Sequence, residues 1–178
     1  KNITKPKNIY GYSKIINEHM ADYYSKKLKT PFIGLRFFTV YGTWGRPDMF
    51  ILKILNYHNK RKKFNLNNDG NHLRDFTSVK DVVNILMKII NTKTKNNKIY
   101  NICSNRPFLI KSVLTKIEKK IGKINFKNIK KNSADVLNTH GDNSKILKKF
   151  KLKKFSNFDK ELNQIIDWYQ TVKNKNYF

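Results

Sequence analysis

Segments with helical and strand-like patterns alternate along this 178-residue chain, and the alternation limits the folds open to it. Three segments carry apolar residues at helical spacing: residues 10–29, 79–91 and 159–173. Short segments that are predicted to be strands occupy residues 32–36, 74–77 and 99–103. Strands that alternate with helices predict an α/β fold with parallel strands.

Turn and cap signals divide the rest of the chain. Shorter helices are expected at residues 47–60, about 111–121 and 144–149, and a further strand at residues 63–66. Ser78 can cap the helix at 79–91, and Gly122 can end the helix that Phe108–Ile110 leads into. Two stretches are expected to be irregular: the loop at residues 38–48 and the polar region at residues 124–143.

The composition excludes several classes of protein. Hydrophobic residues make up 39% of the chain and aromatic residues 13%, which is typical of a globular protein and not of a disordered one. Cys103 is the only cysteine, so no internal disulfide can form, and the four histidines lack metal-ligand spacing. No apolar run approaches the roughly 20 residues that span a bilayer. We therefore expect no membrane span and a cytoplasmic location.

The formal net charge of +26 allows two interpretations. One is a basic module that binds nucleic acid, because basic surfaces attract polyanions. The other is compositional drift, since lysine, asparagine and isoleucine all have A/T-rich codons and all are abundant. Specific readout of nucleic acid depends on bidentate arginine, and only five of the 38 cationic residues are arginine. The composition therefore argues against a nucleic-acid partner.

The pattern Tyr-x-x-x-Lys at Tyr10 and Lys14 can carry chemistry. On a helix these positions share a face, so the ammonium can lie beside the phenol and stabilise a phenolate. A phenolate is a usable general base for a sugar hydroxyl. The bare pattern is nonspecific, because it also occurs at Tyr23/Lys27 and Tyr169/Lys173, where a surface tyrosine beside a solvated lysine is the simpler interpretation. Tyr10 differs from the other two tyrosines because Gly11 and Ser13 give its pattern the form Tyr-Gly-x-Ser-Lys at the start of a predicted helix.

Together with this pattern, Leu35–Met49 and Arg74–Thr77 resemble the extended short-chain dehydrogenase/reductase family. Within that family, Phe37–Gly42 followed by Trp44–Met49 is similar to the UDP-glucuronate 4-epimerase branch. The resemblance continues through Tyr100–Ile102, Asp135–Leu137 and Trp168–Tyr169, so it covers nearly the whole chain. It implies the C-terminal part of a Rossmann-type parallel sheet plus a small α/β substrate-binding domain.

The resemblance also implies how the chain is divided. Residues 1–38 and about 72–103 would be partly Rossmann core, whereas residues about 39–71 and 104–178 would be mostly substrate-binding. The chain contains no Gly-x-x-Gly-x-x-Gly turn after a strand, which is the phosphate-binding element of a dinucleotide site. We therefore expect the N-terminal cofactor-binding half to be absent, and the fragment alone to be inactive and to bind NAD poorly.

The resemblance assigns roles around the cofactor and the sugar. Tyr10 would be the base that takes the proton from the sugar 4-hydroxyl while hydride passes to NAD. Lys14 would hold the nicotinamide ribose and tune Tyr10. Phe37 and Phe38 would line the nicotinamide pocket, with Thr39 at the sugar.

Three further residues would bind the substrate. Arg46 would bind the uronic-acid carboxylate bidentately, with a loop-surface arginine as the alternative. Arg74 would meet the UDP diphosphate, with an edge-strand arginine paired to Asp75 or Asp69 as the alternative. Asp135 would reach the uridine ribose, with an ordinary loop aspartate as the alternative.

The sequence therefore predicts a nucleotide-sugar epimerase whose parent enzyme interconverts UDP-glucuronate and UDP-galacturonate by transient oxidation at C4 with NAD. A UDP-sugar is the expected partner, and a homodimer is expected in the complete protein. The alternatives are another nucleotide-sugar epimerase, dehydratase or decarboxylase, or a noncatalytic basic module. Three residues depart from the family pattern: Thr43 replaces a common proline, Cys103 replaces a usual glycine, and Ser133 begins Ser-Ala-Asp in place of Pro-Gly-Asp.

Overall fold

The computed structural model describes residues 6–130, 136–152 and 154–173, and these residues form an α/β fold. The helices are α1 Ile9–Leu28, α2 Phe50–Asn59, α3 Val79–Ile90, α4 Ile110–Ile121, α5 Ser144–Phe150 and α6 Phe158–Val172. The strands are β1 Ile33–Phe37, β2 Thr39–Tyr41, β3 Phe64–Asn67, β4 Leu73–Ser78, β5 Lys98–Ile102, β6 Pro107–Leu109 and β7 Phe126–Ile129. The predicted fold class is confirmed.

The strands form three small sheets. β1 pairs in parallel with β5, so that Phe37 lies opposite Ile102. β4 lies between β2, which is parallel to it, and β6, which is antiparallel. β3 and β7 form a parallel pair. Because Phe37 ends β1 and Thr39 begins β2, the chain passes from one sheet to the next within two residues.

Local signals account for one end each of α3, α4 and α6. The predicted cap of α3 is confirmed, because the Ser78 hydroxyl accepts a hydrogen bond from the Lys80 amide. Gly122 follows α4 with φ +88°, in the region that glycine adopts without a steric penalty. The Asn157 side chain caps α6 by accepting from the Lys160 amide. Each of these caps fixes one end of its helix.

The core consists of two apolar clusters. The first joins α2, β3, α4 and α6, and Phe158 lies at its aromatic centre, stacked on Phe108 with ring centroids 4.2 Å apart. The second joins β1, β5, α3 and α5, and it contains the fully buried Ile102 and Ile146. Such clusters bury the one apolar face that each helix and strand offers.

Two stretches predicted to be irregular contain strands. Residues 38–48 include β2, and residues 124–143 include β7, so both predictions are wrong at those positions. A three-residue strand is too short to show an alternating pattern, and the first three residues of β7 are all exposed, so no buried face marks it. Pairing with β4 and with β3 creates these strands.

Helix α1 differs from the others because none of its residues is buried. Its exposed apolar residues include Tyr12, Ile16, Met20 and Tyr23. Across the residues that the structure describes, no helix combines the length and the apolar character needed to cross a membrane.

Candidate active site

The Tyr10–Lys14 pair lies in the first turns of α1. The Asn8 side chain caps this helix by accepting from the Gly11 amide at 2.8 Å. The Lys14 ammonium lies over the Tyr10 ring, 4.9 Å from its centroid, as the spacing of four residues predicts. Tyr10 is 69% exposed. The phenol is therefore accessible and has a cation beside it.

Polar contacts attach this helix to the sheet. Arg36 on β1 donates from Nε and Nη2 to the two carboxylate oxygens of Glu18, at 2.6 and 2.7 Å. The Asn97 carbonyl oxygen accepts from the Ser25 hydroxyl and from the Phe32 amide. Hydrogen-bonding side chains of α1 therefore contact β1 and the segment before β5.

Phe37, Phe38 and Thr39 lie where the chain leaves the first sheet. Phe37 is half exposed at the end of β1, and the Phe38 amide donates to the Ile102 carbonyl at 3.3 Å. Thr39 lines a small, mostly apolar pocket together with Tyr41, Met49, Phe50 and Phe76. The strand end places one aromatic ring toward solvent and the threonine at a pocket.

Arg46 lies on the loop between β2 and α2. Its guanidinium donates from Nε and Nη2 to the Asp48 carboxylate, at 3.2 and 2.9 Å. The Arg46 side chain is 74% exposed. Because the Nη1 group makes no hydrogen bond within the part of the chain that is described, one edge of the guanidinium holds a carboxylate and another faces outward.

Arg74 lies on β4, which is a central strand, so the edge-strand alternative is wrong. Its Nη1 group donates to the carbonyls of Leu73 and Leu137, both at 2.9 Å. The Asp75 carboxylate accepts its hydrogen bonds from a different part of the chain. Arg74 therefore joins β4 to the segment that follows Val136. Asp135, which precedes that segment, lies outside the described residues.

Asp75 is a buried residue of this region that the sequence did not identify. Its side chain has no exposed surface, and it accepts from the Ser104 amide and hydroxyl, the Asn105 amide and the Gly141 amide at 2.7–3.2 Å. One carboxylate thus holds the turn after β5 against the segment before α5. The sequence does contain one signal for it: an acidic residue within a predicted strand. A buried carboxylate needs hydrogen-bond partners.

Cys103 lies beside this carboxylate. The thiol is fully buried, and a Cβ built at Gly141 would lie only 2.4 Å from Cys103 Sγ and 2.5 Å from Phe38 Cζ. Cys103 is thus a small buried residue, and only glycine fits beside it at position 141. Burial and the nearby Asp75 charge raise the pKa of the Cys103 thiol to about 12.

We expect the stability of the chain to depend on this thiol at alkaline pH. A raised pKa in the folded state favours the protonated thiol, so its contribution is complete below pH 9 and is lost as the pH rises toward 12. The free energy of unfolding should fall by up to about 1.4 kcal/mol per pH unit more in the wild type than in Cys103→Ala. Urea titrations of both proteins between pH 8 and 11 measure this, and parallel profiles would contradict it.

The site residues are only partly brought together. Tyr10 contacts Lys14, but no hydrogen bond, ion pair or ring contact links either of them to Arg46 among the described residues.

His140 Nε2 lies 2.6 Å from Asn105 Oδ1. The described residues contain no group of three or more His, Cys, Asp or Glu side chains that could hold a metal ion.

The chain is similar in sequence and in structure to several known proteins. CapI from Staphylococcus aureus is 32% identical over 94% of the chain and 56% of its own length. UDP-glucuronate 4-epimerase 2 from Arabidopsis thaliana is 28% identical over 93% of the chain and 42% of its length. The crystal structure of UDP-glucuronic acid 4-epimerase from Bacillus cereus, in complex with UDP-glucuronic acid and NAD, matches with a TM-score of 0.88. It is 26% identical, over 96% of this chain and 55% of that one.

The chain spans about half the length of the curated relatives it matches. Residues 1–103 match the model of the NAD-dependent epimerase/dehydratase family. That match includes Tyr10, Lys14, Arg46 and Arg74, and it ends at the crowded Cys103. The protein belongs to the NAD-dependent epimerase/dehydratase family.

Proposed function

We propose that this chain is the substrate-binding part of a nucleotide-sugar epimerase that interconverts UDP-glucuronate and UDP-galacturonate. The similarity to UDP-glucuronate 4-epimerases supports the reaction class. The observation that carries the choice of sugar is the Arg46 guanidinium, which is exposed and already makes a two-pronged contact with a carboxylate. A uronic acid offers the same group.

We assign the proton transfer to Tyr10 and Lys14, and the contact between their side chains supports this assignment. Tyr10, as a phenolate stabilised by the ammonium 4.9 Å from its ring centroid, would take the proton from the sugar 4-hydroxyl and become a neutral phenol. NAD, when bound, supplies the hydride acceptor and donor at C4. Thr39 would hydrogen-bond the sugar, and the proton would return from Tyr10 when the other face of the sugar is presented.

The residues of this chain are suited to bind the nicotinamide end of NAD. Tyr10 and Lys14 are available to the nicotinamide ribose, and Phe37 presents an exposed ring at the end of β1. Among the seven glycines none forms the clustered turn that holds a pyrophosphate. We infer that the chain alone binds NAD weakly and does not turn over UDP-glucuronate with added NAD.

Arg46 would also decide the outcome of the reaction. Oxidation of UDP-glucuronate at C4 gives a β-keto acid, which loses CO₂ when the breaking bond stands perpendicular to the carbonyl plane. A guanidinium that fixes the carboxylate in another orientation favours epimerisation over decarboxylation. Asp48, which already binds the Nε edge, would hold Arg46 ready for the substrate.

The nucleotide would lie near β4. Arg74 bridges β4 and Leu137, so its cationic head is held beside the segment that begins after Asp135. We propose that Arg74 meets the diphosphate and that Asp135 binds the uridine ribose. The exposed apolar residues of α1 support a homodimer through this helix in the complete protein.

Nucleotide-sugar binding tests this proposal on the 178-residue chain. Calorimetry would compare UDP-glucuronate with UDP-glucose for the wild type, Arg46→Ala and Arg74→Ala. We expect Arg46→Ala to weaken UDP-glucuronate by about 10- to 100-fold while UDP-glucose changes little, because a charged hydrogen-bonded pair is lost. Arg74→Ala should weaken both ligands alike.

Lys62→Ala is the matched control, because it removes one exposed cation from the turn before β3. It should leave both affinities unchanged. If Arg46→Ala weakened both ligands equally, or neither, the enzyme would be one that acts on neutral nucleotide sugars.

A further inference from the structure

The chain has two tryptophans, Trp44 and Trp168, and they contact each other. Their ring centroids lie 5.2 Å apart at an interplanar angle of 60°, which is an edge-to-face arrangement. Such pairs are favourable beyond the area they bury. The contact joins the loop after β2 to the last helix.

Trp44 adopts an unusual backbone conformation. Its φ is +59°, in the left-handed region, which is sterically unfavourable for a bulky side chain. The side chain is 64% exposed, so burial in a core does not account for it. Strained residues persist where neighbouring contacts hold them, and they cluster at binding sites. The ring contact with Trp168 is such a restraint.

Trp168 provides a rigid anchor. It lies on α6, whose residues Leu162, Ile165 and Tyr169 are buried in the first core cluster, and it packs against that cluster itself. A side chain on a helix fixed in this way moves little. The position of Trp44 is therefore tied to the core.

Trp44 and Arg46 lie on the same turn of the loop between β2 and α2. Gly45 separates them in a tight turn, where an added Cβ would lie 3.3 Å from the Gly42 carbonyl oxygen. The Met49 amide closes the far side of the turn by donating to the Arg46 carbonyl at 3.1 Å. A displacement of Trp44 would therefore move the Arg46 guanidinium.

We propose that Trp168 is a positioning residue for Arg46: its contact with Trp44 fixes the loop at residues 42–49 and so sets the preference for a uronic acid over a neutral sugar. This inference rests on the proposed function, because it takes Arg46 as the group that binds the carboxylate. Trp168 acts through Trp44 and need not touch the substrate.

The anchoring is tested without any ligand. We expect the amides of residues 42–49 to exchange with solvent deuterium roughly 2- to 10-fold faster in Trp168→Ala than in the wild type, because the ring contact is lost. Trp168→Phe should restore most of the protection. Near-ultraviolet circular dichroism reports the pair directly, and Trp44→Phe and Trp168→Phe should each abolish the same coupled band.

The specificity is tested by the ratio of the affinities for UDP-glucuronate and UDP-glucose, measured by calorimetry on the same chain. Trp168→Ala should lower this ratio about fivefold, and Trp168→Phe should bring it back toward the wild-type value. Tyr57→Ala is the matched control, since Tyr57 packs against the same core cluster from α2. It should lower the thermal midpoint comparably and leave the ratio unchanged.

Each result separates this inference from the proposed function. Unchanged exchange at residues 42–49 in Trp168→Ala overturns the anchoring, whatever the ligand. Faster exchange with an unchanged affinity ratio overturns the specificity role alone, provided that Arg46→Ala does lower the ratio. If Arg46→Ala leaves the ratio unchanged, the proposed uronic-acid function fails and the specificity role fails with it, whereas the exchange result still decides the anchoring.

Discussion

Replacing Asp75 with alanine should lower the free energy of unfolding by about 4 kcal/mol, a large part of the roughly 5–15 kcal/mol that keeps a typical protein folded. The carboxylate has no exposed surface and accepts from three backbone amides and one hydroxyl. Alanine would leave the amides of Ser104, Asn105 and Gly141 without the acceptor that the buried carboxylate provides. Each such loss costs about 1–3 kcal/mol. Urea unfolding followed by circular dichroism measures the change.

Two further variants make this result specific. Asp75→Asn keeps the size of the side chain but has only one accepting oxygen, so its stability should fall between the wild type and Asp75→Ala. Asp167→Ala removes an exposed acidic residue of α6 and should change stability by less than about 0.5 kcal/mol. Equal urea midpoints for Asp75→Ala and the wild type would show that the four hydrogen bonds do not hold the turn.

The sequence predicted the helices well because each has a local signature. Apolar periodicity marked α3 and α6, and Ser78 and Gly122 marked helix ends that the structure confirms. Such signals lie within one or two turns of the chain, so no tertiary contact is needed to interpret them.

The sequence could not predict features that depend on distant partners. β2 exists because Thr39–Tyr41 pairs with β4, and β7 exists because it pairs with β3. Asp75 is informative only once Ser104 and Gly141 are beside it. In each case the partner is remote in sequence, so no local pattern announces the contact.

The candidate site divides in the same way. The face shared by Tyr10 and Lys14 follows from helix geometry and was predicted. The pairing of Arg46 with Asp48 is also local, two residues apart, yet the sequence left open whether Arg46 binds a substrate or is a loop-surface arginine. The Trp44–Trp168 contact was beyond prediction, because nothing in either segment specifies the other.

Removing the polar contacts of α1 should release this helix while the core stays folded. The double variant Glu18→Gln/Asn97→Ala would lose the ion pair with Arg36 and the hydrogen bonds to Ser25, Asp22 and Phe32. The half-exposed ion pair contributes about 1 kcal/mol and the Asn97 hydrogen bonds about 2 kcal/mol. Hydrogen exchange of residues 9–28 should accelerate about 100-fold, since each 1.4 kcal/mol is a factor of ten.

The reason for so large a local effect is that α1 has no buried residue to hold it. An amphipathic helix normally docks through its apolar face, and the loss of two polar contacts then matters little. Here the exposed face carries the large apolar side chains, and the hydrogen-bonding groups face the sheet. The polar contacts therefore determine where Tyr10 and Lys14 lie relative to β1.

Lys26→Ala provides the control for this experiment. Lys26 pairs with Asp22 Oδ2 within the same helix, at 2.7 Å, so its loss weakens the helix slightly and leaves the hydrogen bond from Asn97 to Asp22 Oδ1 in place. Exchange of α1 should then rise by about twofold at most. Protection of α4, whose residues Val113 and Ile117 are fully buried, should be the same in all three proteins. If α1 kept its protection in the double variant, apolar contacts, and not these polar ones, would hold Tyr10 in place.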